Sequence, residues 1–158
     1  MANEALPGKR IIIADDSPLV GQALAGRFRE LGMDVVFTAT SGVTAFEAAK
    51  KHRPDIVCLD IMMPDMDGIE CATLLRTQMP QLAIVFCTVL ASDMRFRDAI
   101  GQRFSKQLFM HKPPSNDEAA TAITFAFSEA RRILEAPIAP ATEAPPKSSV
   151  PPPRSKAS

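Results

Sequence analysis

The sequence predicts an α/β fold in which five parallel strands, in the order 2-1-3-4-5, are doubly wound by helices on both faces. Three observations carry this reading. Short apolar runs alternate with longer segments of helical period between Arg10 and Leu134, the pattern of βα repeats rather than of hairpins. Most of the runs are apolar throughout instead of alternating, as strands covered on both faces are. With right-handed crossovers, a sheet of that size commonly takes the order 2-1-3-4-5 and binds ligands beyond the carboxyl ends of its strands, where strands 1 and 3 part.

The first strand is Ile11-Ile12-Ile13-Ala14. A helix follows from Pro18 to about Leu31, with Ser17 as N-cap, Pro18 in the first turn and Gly32 just past the end, matching the proline-in, glycine-out asymmetry of helix ends. Val35-Val36-Phe37 is the second strand, and His52 before Arg53-Pro54 marks the next helix end, where a cation suits the dipole. Ile56-Val57-Cys58-Leu59, Ile84-Val85-Phe86-Cys87 and Leu108-Phe109-Met110 are strands three to five. Ser115 and Glu118 form a capping box for the last helix, whose stripe of Ala119, Ala122, Ile123, Ala126, Phe127, Ala130, Ile133 and Leu134 is expected to be core.

Past that helix the composition changes. Residues 137–158 hold seven of the fourteen prolines and no aromatic residue, too little apolar surface to offset the entropy of ordering. The expected division is a domain over 9–134 and a disordered, Pro/Ala/Ser-rich tail over 135–158, locally extended at Pro151 to Pro153.

With 46% hydrophobic and 23% charged residues among 158, the chain suits one globular domain. Its 18 basic and 18 acidic side chains cancel, so no global field draws it to nucleic acid or to an anionic membrane. The N-terminus lacks an apolar signal region and no segment is long and apolar enough to span a bilayer, so a cytoplasmic location is expected. Cys58, Cys71 and Cys87 are odd in number and lack C-x-x-C spacing, which argues against a disulfide framework and a zinc site. Cys58 and Cys87 read as small buried side chains.

The chemistry gathers at the strand ends. Strand one ends in Asp15-Asp16, strand three in Asp60, strand four in Thr88 and strand five, after His111, in Lys112. The second strand ends near Thr38 to Thr40, at the sheet margin. Three carboxylates there repel by roughly 3 to 4 kcal/mol per close pair at an effective dielectric of ~20, about 10 in total. That rivals the whole stability of a domain, ~5 to 15 kcal/mol, so the cluster calls for a cation. Hard oxygen ligands in small number favour Mg²⁺ shared with phosphate. Lys112 and Thr88 offer the point charge and hydroxyl that a phosphoryl group needs, and Asp60, on the central strand, is placed to be a carboxylate nucleophile. His111 reads as a solvated strand-end histidine, and Met62, Met63 and Met66 as loop and core fillers.

Asp15-Asp16, then Asp60-Ile61-Met62-Met63-Pro64-Asp65-Met66-Asp67-Gly68, then Thr88, then Lys112-Pro113 resembles the receiver domain of two-component response regulators, closest in layout to stand-alone chemotaxis-type receivers. The resemblance covers about residues 9 to 134 and implies a flavodoxin-like receiver fold. It also implies that Asp60 takes phosphate from a sensor histidine kinase or histidine phosphotransfer protein. Asp16, Asp60 and the Met62 backbone carbonyl would hold Mg²⁺ directly, and Asp15 largely through water. Thr88 and Lys112 would contact the phosphoryl oxygens, and Lys112-Pro113 would be cis. Phe109 matches the aromatic switch position. The expected function is a signalling switch rather than an enzyme, read by a downstream protein on the face of helix 4, strand 5 and helix 5. No DNA-binding segment follows Leu134, so neither nucleic acid nor membrane insertion enters the expected output.

The chain departs from the family pattern in places. Val89 follows Thr88 where a small residue is usual; with Leu90 and Met62 it is expected to crowd the hydrolytic water and prolong the phosphorylated state. Ala91 to Gln107 carries Arg95, Arg97, Arg103 and Lys106, which read either as a basic face for an acidic partner or as an ordinary solvated face, and Pro114 stiffens the loop after Lys112. The alternatives are a receiver fragment of a longer regulator and a Mg²⁺ phosphohydrolase working through an aspartyl-phosphate. Dehalogenase-like enzymes of the latter kind carry an Asp two residues after the nucleophile, where this chain has Met62.

Overall fold

The computed structural model of the chain describes residues 6–100 and 103–135, without the side chain of Arg97. The expected tail lies outside these residues apart from Glu135. Five parallel strands, β1 (Arg10–Ala14), β2 (Asp34–Ala39), β3 (Ile56–Leu59), β4 (Ala83–Thr88) and β5 (Phe109–His111), form one sheet in the order β2-β1-β3-β4-β5. The helices between and after them are α1 (Pro18–Glu30), α2 (Gly42–His52), α3 (Gly68–Gln78), α4 (Met94–Ile100) and α5 (Asn116–Glu135). A 3-10 turn over Lys106–Leu108 leads into β5.

The continuous apolar runs of β3 and β4 are buried along their whole length, and so is β1 from Ile11 to Ala14. β2 is not. It lies at the sheet margin, Val35 and Val36 are only partly buried, and Phe37 stays 36% exposed with its ring stacked on His52. β5, at the other margin, alternates: Phe109 half-buried, Met110 buried, His111 exposed. An edge strand has one neighbour, so fewer helices reach its faces.

The caps explain the boundaries. Ser17 accepts from Val20 N at 3.3 Å, and Gly32 takes the left-handed conformation (φ +89°) that ends α1. Ser41 and Asp67 do for α2 and α3 what Ser17 does for α1, accepting from Thr44 N and Glu70 N. At α5 only half of the expected capping box closes. Ser115 Oγ accepts from Glu118 N at 3.0 Å, but the Glu118 carboxylate turns to His111 instead.

The stripe of α5 is buried from Ala119 through Ala126 and again at Ala130, with Phe127 partly covered beneath the Lys9 ammonium. Ile133 and Leu134, expected in the core, are 36% and 54% exposed. The 20 residues of α5 span about 30 Å, whereas six residues of a strand cover about 20 Å, so the helix overruns the sheet. At the N-terminal side the packed body extends back to Leu6, which is fully buried, and Gly8 N donates to Gly32 O at 2.8 Å.

Candidate functional site

The sheet delivers its strand-end residues to one edge. Asp15, Asp60 and Thr88 are buried there, and Lys112 Nζ reaches across to Asp15 Oδ2 at 2.7 Å and Asp60 Oδ2 at 3.0 Å. The other carboxylate oxygens are held by backbone: Asp15 Oδ1 accepts from Ser17 N at 2.9 Å, and Asp60 Oδ1 from Ile61 N at 2.8 Å. Thr88 Oγ1 accepts from Leu90 N at 3.1 Å. Asp16 is exposed, on the wall of an open groove of about 850 Å³ shared with Thr40, Ile61, Met62, Pro64 and Asp67. Met63 and Met66 pack against the core, but Met62, read from sequence as a filler, is 67% exposed, because its loop stands above the sheet edge.

Two glycines shape that loop. A Cβ on Gly68 would sit 2.1 Å from the Asp60 carbonyl oxygen, and one on Gly42 would sit 1.9 Å from the Met66 carbonyl oxygen. The start of α3 therefore presses directly on the Asp60 backbone, and the start of α2 on the Met66 backbone later in the same loop. Gly68 N closes the loop by donating to Ile61 O at 2.8 Å, and Asp65 takes a positive φ of 70°, a conformation aspartate tolerates better than most residues.

Burial pushes the Asp60 carboxyl above its ordinary pKa of 3.8, and Lys112 only partly offsets this. For Lys112 burial alone would lower the pKa, but its contacts with Asp15 and Asp60 outweigh burial and raise it above 10.5. The two shifts do not mirror each other because one ammonium serves two carboxylates. The cysteines take no part in such chemistry: all three are buried, the Cys58 thiol is pushed up by its hydrogen bond with Cys87 and by burial, and burial raises Cys71 to about 12.

The residues fit a divalent cation. Asp15, Asp16 and Asp60 each offer a carboxylate oxygen, all within 4.8 Å of one another. With one ammonium against them, the cluster is formally two negative charges in excess. Asp15 Oδ2, although buried, has an ion contact with Lys112 but no hydrogen bond of proper geometry, so it retains capacity for a cation or its water. An all-oxygen set of this size suits Mg²⁺ better than a softer metal.

Phe109 pairs with Phe86 across β4 and β5, its ring stacked on Phe86 at 4.6 Å and edge-on to Phe96 of α4 at 5.8 Å. Lys112-Pro113 is cis and Pro114 is buried. The basic residues do not form one helical face, since α4 ends at Ile100. Arg95 is solvent-exposed near Asp93, Arg103 leans on Thr73 Oγ1 of α3 at 3.1 Å, Lys106 is exposed in the 3-10 turn, and the Arg97 side chain lies outside the described residues. His111, read as merely solvated, is bonded at both ring nitrogens, to Glu118 and to Ser92. The helical spacing of Ser115 and Glu118 could not reveal that partnership, because it depends on where the β4–α4 loop lies.

Comparison with known proteins agrees with this fold. The family model described as "Response regulator receiver domain" matches residues 11–124. The transcriptional regulatory protein PdtaR of Mycobacterium tuberculosis is 34% identical over 90% of this chain and 68% of its own length. Chemotaxis protein CheY of Bacillus subtilis is 34% identical over 72% of this chain and 93% of its own. Among solved structures, the CheX–CheY–BeF3–Mg complex from Borrelia burgdorferi aligns with a TM-score of 0.65 at 26% identity, covering 77% of this chain and 90% of that one.

Proposed function

This chain belongs to the response regulator receiver domain family of two-component systems, and from that premise we propose that it is a switch phosphorylated on Asp60. The observation that supports this most is the bridge made by one buried-edge ammonium, Lys112 Nζ, to Asp15 Oδ2 and Asp60 Oδ2. Asp60 Oδ1 is engaged by Ile61 N–H, which leaves Oδ2, the oxygen facing Lys112, to form the new P–O bond. As that bond forms, the N–P bond of a phosphohistidine on a sensor histidine kinase or phosphotransfer protein breaks, and its electron pair leaves with the imidazole.

Asp15, Asp16, Asp60 and the Met62 backbone carbonyl are the groups that would hold Mg²⁺, which when bound supplies charge neutralisation for the anionic phosphoryl group. Lys112 moves from pairing two carboxylates to pairing one carboxylate and a phosphoryl oxygen. The Thr88 hydroxyl donates to a second oxygen, and Phe109 follows Thr88 as the aromatic switch. A downstream protein reads the change on the face of α4, β5 and α5. On this reading the chain works in the cytoplasm as a stoichiometric switch rather than a turnover enzyme. Among the described residues no helix is long and apolar enough to cross a membrane.

Incubation with Mg²⁺ and acetyl phosphate, read by intact mass, tests this. One added phosphoryl group is expected, absent in Asp60→Asn and prevented by EDTA. No uptake by the native chain would overturn the proposal, and sustained phosphate release over many turnovers would overturn its non-enzymatic part.

A further inference from the structure

Beside the phosphoryl site lies a second polar chain. Ser92 Oγ, in the loop after β4, sits 2.5 Å from His111 Nε2, and His111 Nδ1 sits 2.7 Å from Glu118 Oε2. The same Glu118 oxygen accepts from the His111 backbone N–H at 2.9 Å. Serine, histidine and carboxylate stand in the order of a nucleophile, base and orienting acid. Ser92 and His111 are open to water, however, which does not suit a nucleophile that needs a dry, donor-lined site. The arrangement is mechanically informative instead.

His111 is the ladder partner of Thr88 across β4 and β5. The five residues from Thr88 to Ser92 are thus gripped at both ends by one residue: at Thr88 through the sheet and at Ser92 through the imidazole. Within the loop, Leu90 N donates to Thr88 Oγ1 at 3.1 Å, so the threonine hydroxyl and the loop backbone are joined. If Thr88 turns alone to a phosphoryl oxygen, Leu90 N loses its partner; leaving such a group unpaired when partly buried is costly. If the loop moves with Thr88, Ser92 must leave His111. Either route strains the same anchor, and Glu118 holds that anchor still.

We infer that Ser92–His111–Glu118 is a latch that holds the Thr88 loop in its unphosphorylated position, with His111 a positioning residue for phosphoryl-group recognition. This rests on the proposed phosphorylation of Asp60. Breaking the Ser92–His111 contact lowers the cost of the phosphorylated arrangement by about one net hydrogen bond, a two- to tenfold change in the equilibrium.

The test uses beryllofluoride with Mg²⁺ as the phosphoryl mimic, titrated by calorimetry into the full chain and its Ser92→Ala, His111→Ala, double and Ser92→Thr variants. Ser92→Ala and His111→Ala are each expected to bind two- to tenfold more tightly, the double variant no more tightly than the singles, and Ser92→Thr like the native chain, since it retains the hydroxyl. Hydrogen exchange without beryllofluoride is expected to be faster at the Leu90 amide in both alanine variants. Native-chain binding with unchanged affinity and unchanged Leu90 exchange in the variants overturns the latch alone. Failure of the native chain to bind beryllofluoride overturns the phosphorylation reading and the latch with it. Additive gains in the double variant would also refute it, because two independent effects are not one contact.

Discussion

Replacing Gly68 by alanine tests whether the close approach of α3 to Asp60 positions the phosphoryl site. The added Cβ would lie 2.1 Å from the Asp60 carbonyl oxygen and 3.0 Å from the carbonyl carbon. Carbon and oxygen do not normally approach below about 3.3 Å, so the deficit is about 1 Å. Both contacted atoms are backbone of Asp60, just past the end of β3, and the added Cβ sits on the first residue of α3, so neither side can rotate away. Overpacking of this kind costs about 1 to 3 kcal/mol, which lowers Tm by about 2 to 12 °C in a chain of this size. The displacement falls on the residue that carries the nucleophile, and a misplacement of about 1 Å can slow a reaction on the order of a hundredfold. Gly26 is the internal control: in α1, nothing lies within 4 Å of its added Cβ, and Gly26→Ala gains about 0.5 to 1 kcal/mol of helix propensity. Thermal unfolding and the rate of phosphorylation by acetyl phosphate, measured on both variants, decide the matter. If Gly68→Ala resembles Gly26→Ala in both, the contact does not set the geometry of the loop and the argument is wrong.

The electrostatics of the site make further predictions. Because burial raises the folded-state pKa of Asp60 above 3.8, the stability linked to this group is greatest below 3.8 and declines as pH rises through the raised value; Asp60→Asn should therefore raise the Tm of the metal-free protein at pH 7 and not at pH 3. Lys112, raised above 10.5, contributes stability that is complete below 10.5 and lost as pH climbs through its folded value, so an alkaline loss of Tm should be present in the native chain and absent in Lys112→Met. Mg²⁺ at a hundred times its Kd should stabilise the native chain by about 2.7 kcal/mol, reversed by EDTA and weakened in Asp16→Asn; an unshifted Tm would count against the cation site. Val89, next to Thr88 and 73% exposed, is placed to crowd a hydrolytic water at the proposed phosphoryl site, and Val89→Ala should speed dephosphorylation measured by intact mass over time.

The site residues could be picked out in the sequence because each is a polar group at the end of an apolar run, and the order of strands in an α/β sheet decides which ends converge. Asp15, Asp60, Thr88 and Lys112 needed only that rule to be placed on one edge. Other features lie beyond local pattern. Val35-Val36-Phe37 reads like the central strands, yet its burial depends on which strand is marginal and on what covers it. The spacing of α5 is helical to Leu134, but periodicity does not say where the sheet beneath it stops. The close approaches at Gly42 and Gly68 leave no mark in the local sequence pattern, because they depend on which backbones the fold presses against them. Glu118 scans as a capping residue, and only the fold shows that its carboxylate serves His111 instead.

His111 and Phe109 together suggest how the phosphoryl site reaches the proposed output face. In a strand, residues two apart share a face, so Phe109 and His111 stand on one side of β5 while Met110 is buried on the other. Phe109 meets Phe96 in α4, and His111 meets Ser92, just before the Asp93 carboxylate that accepts from Arg95 N and Phe96 N at the start of that helix. The short α4 is therefore tied to β5 at two points, an aromatic edge contact and a polar bond. Both ties depend on the position of Thr88, one through its ladder partner His111 and the other through Phe86, which pairs with Phe109 two residues before Thr88 pairs with His111. A shift of Thr88 toward Asp60 cannot leave both ties unchanged. The seven residues of α4 are too few to be stable on helix propensity alone and depend on such contacts, so under the proposed switch this face is where a partner would distinguish the two states.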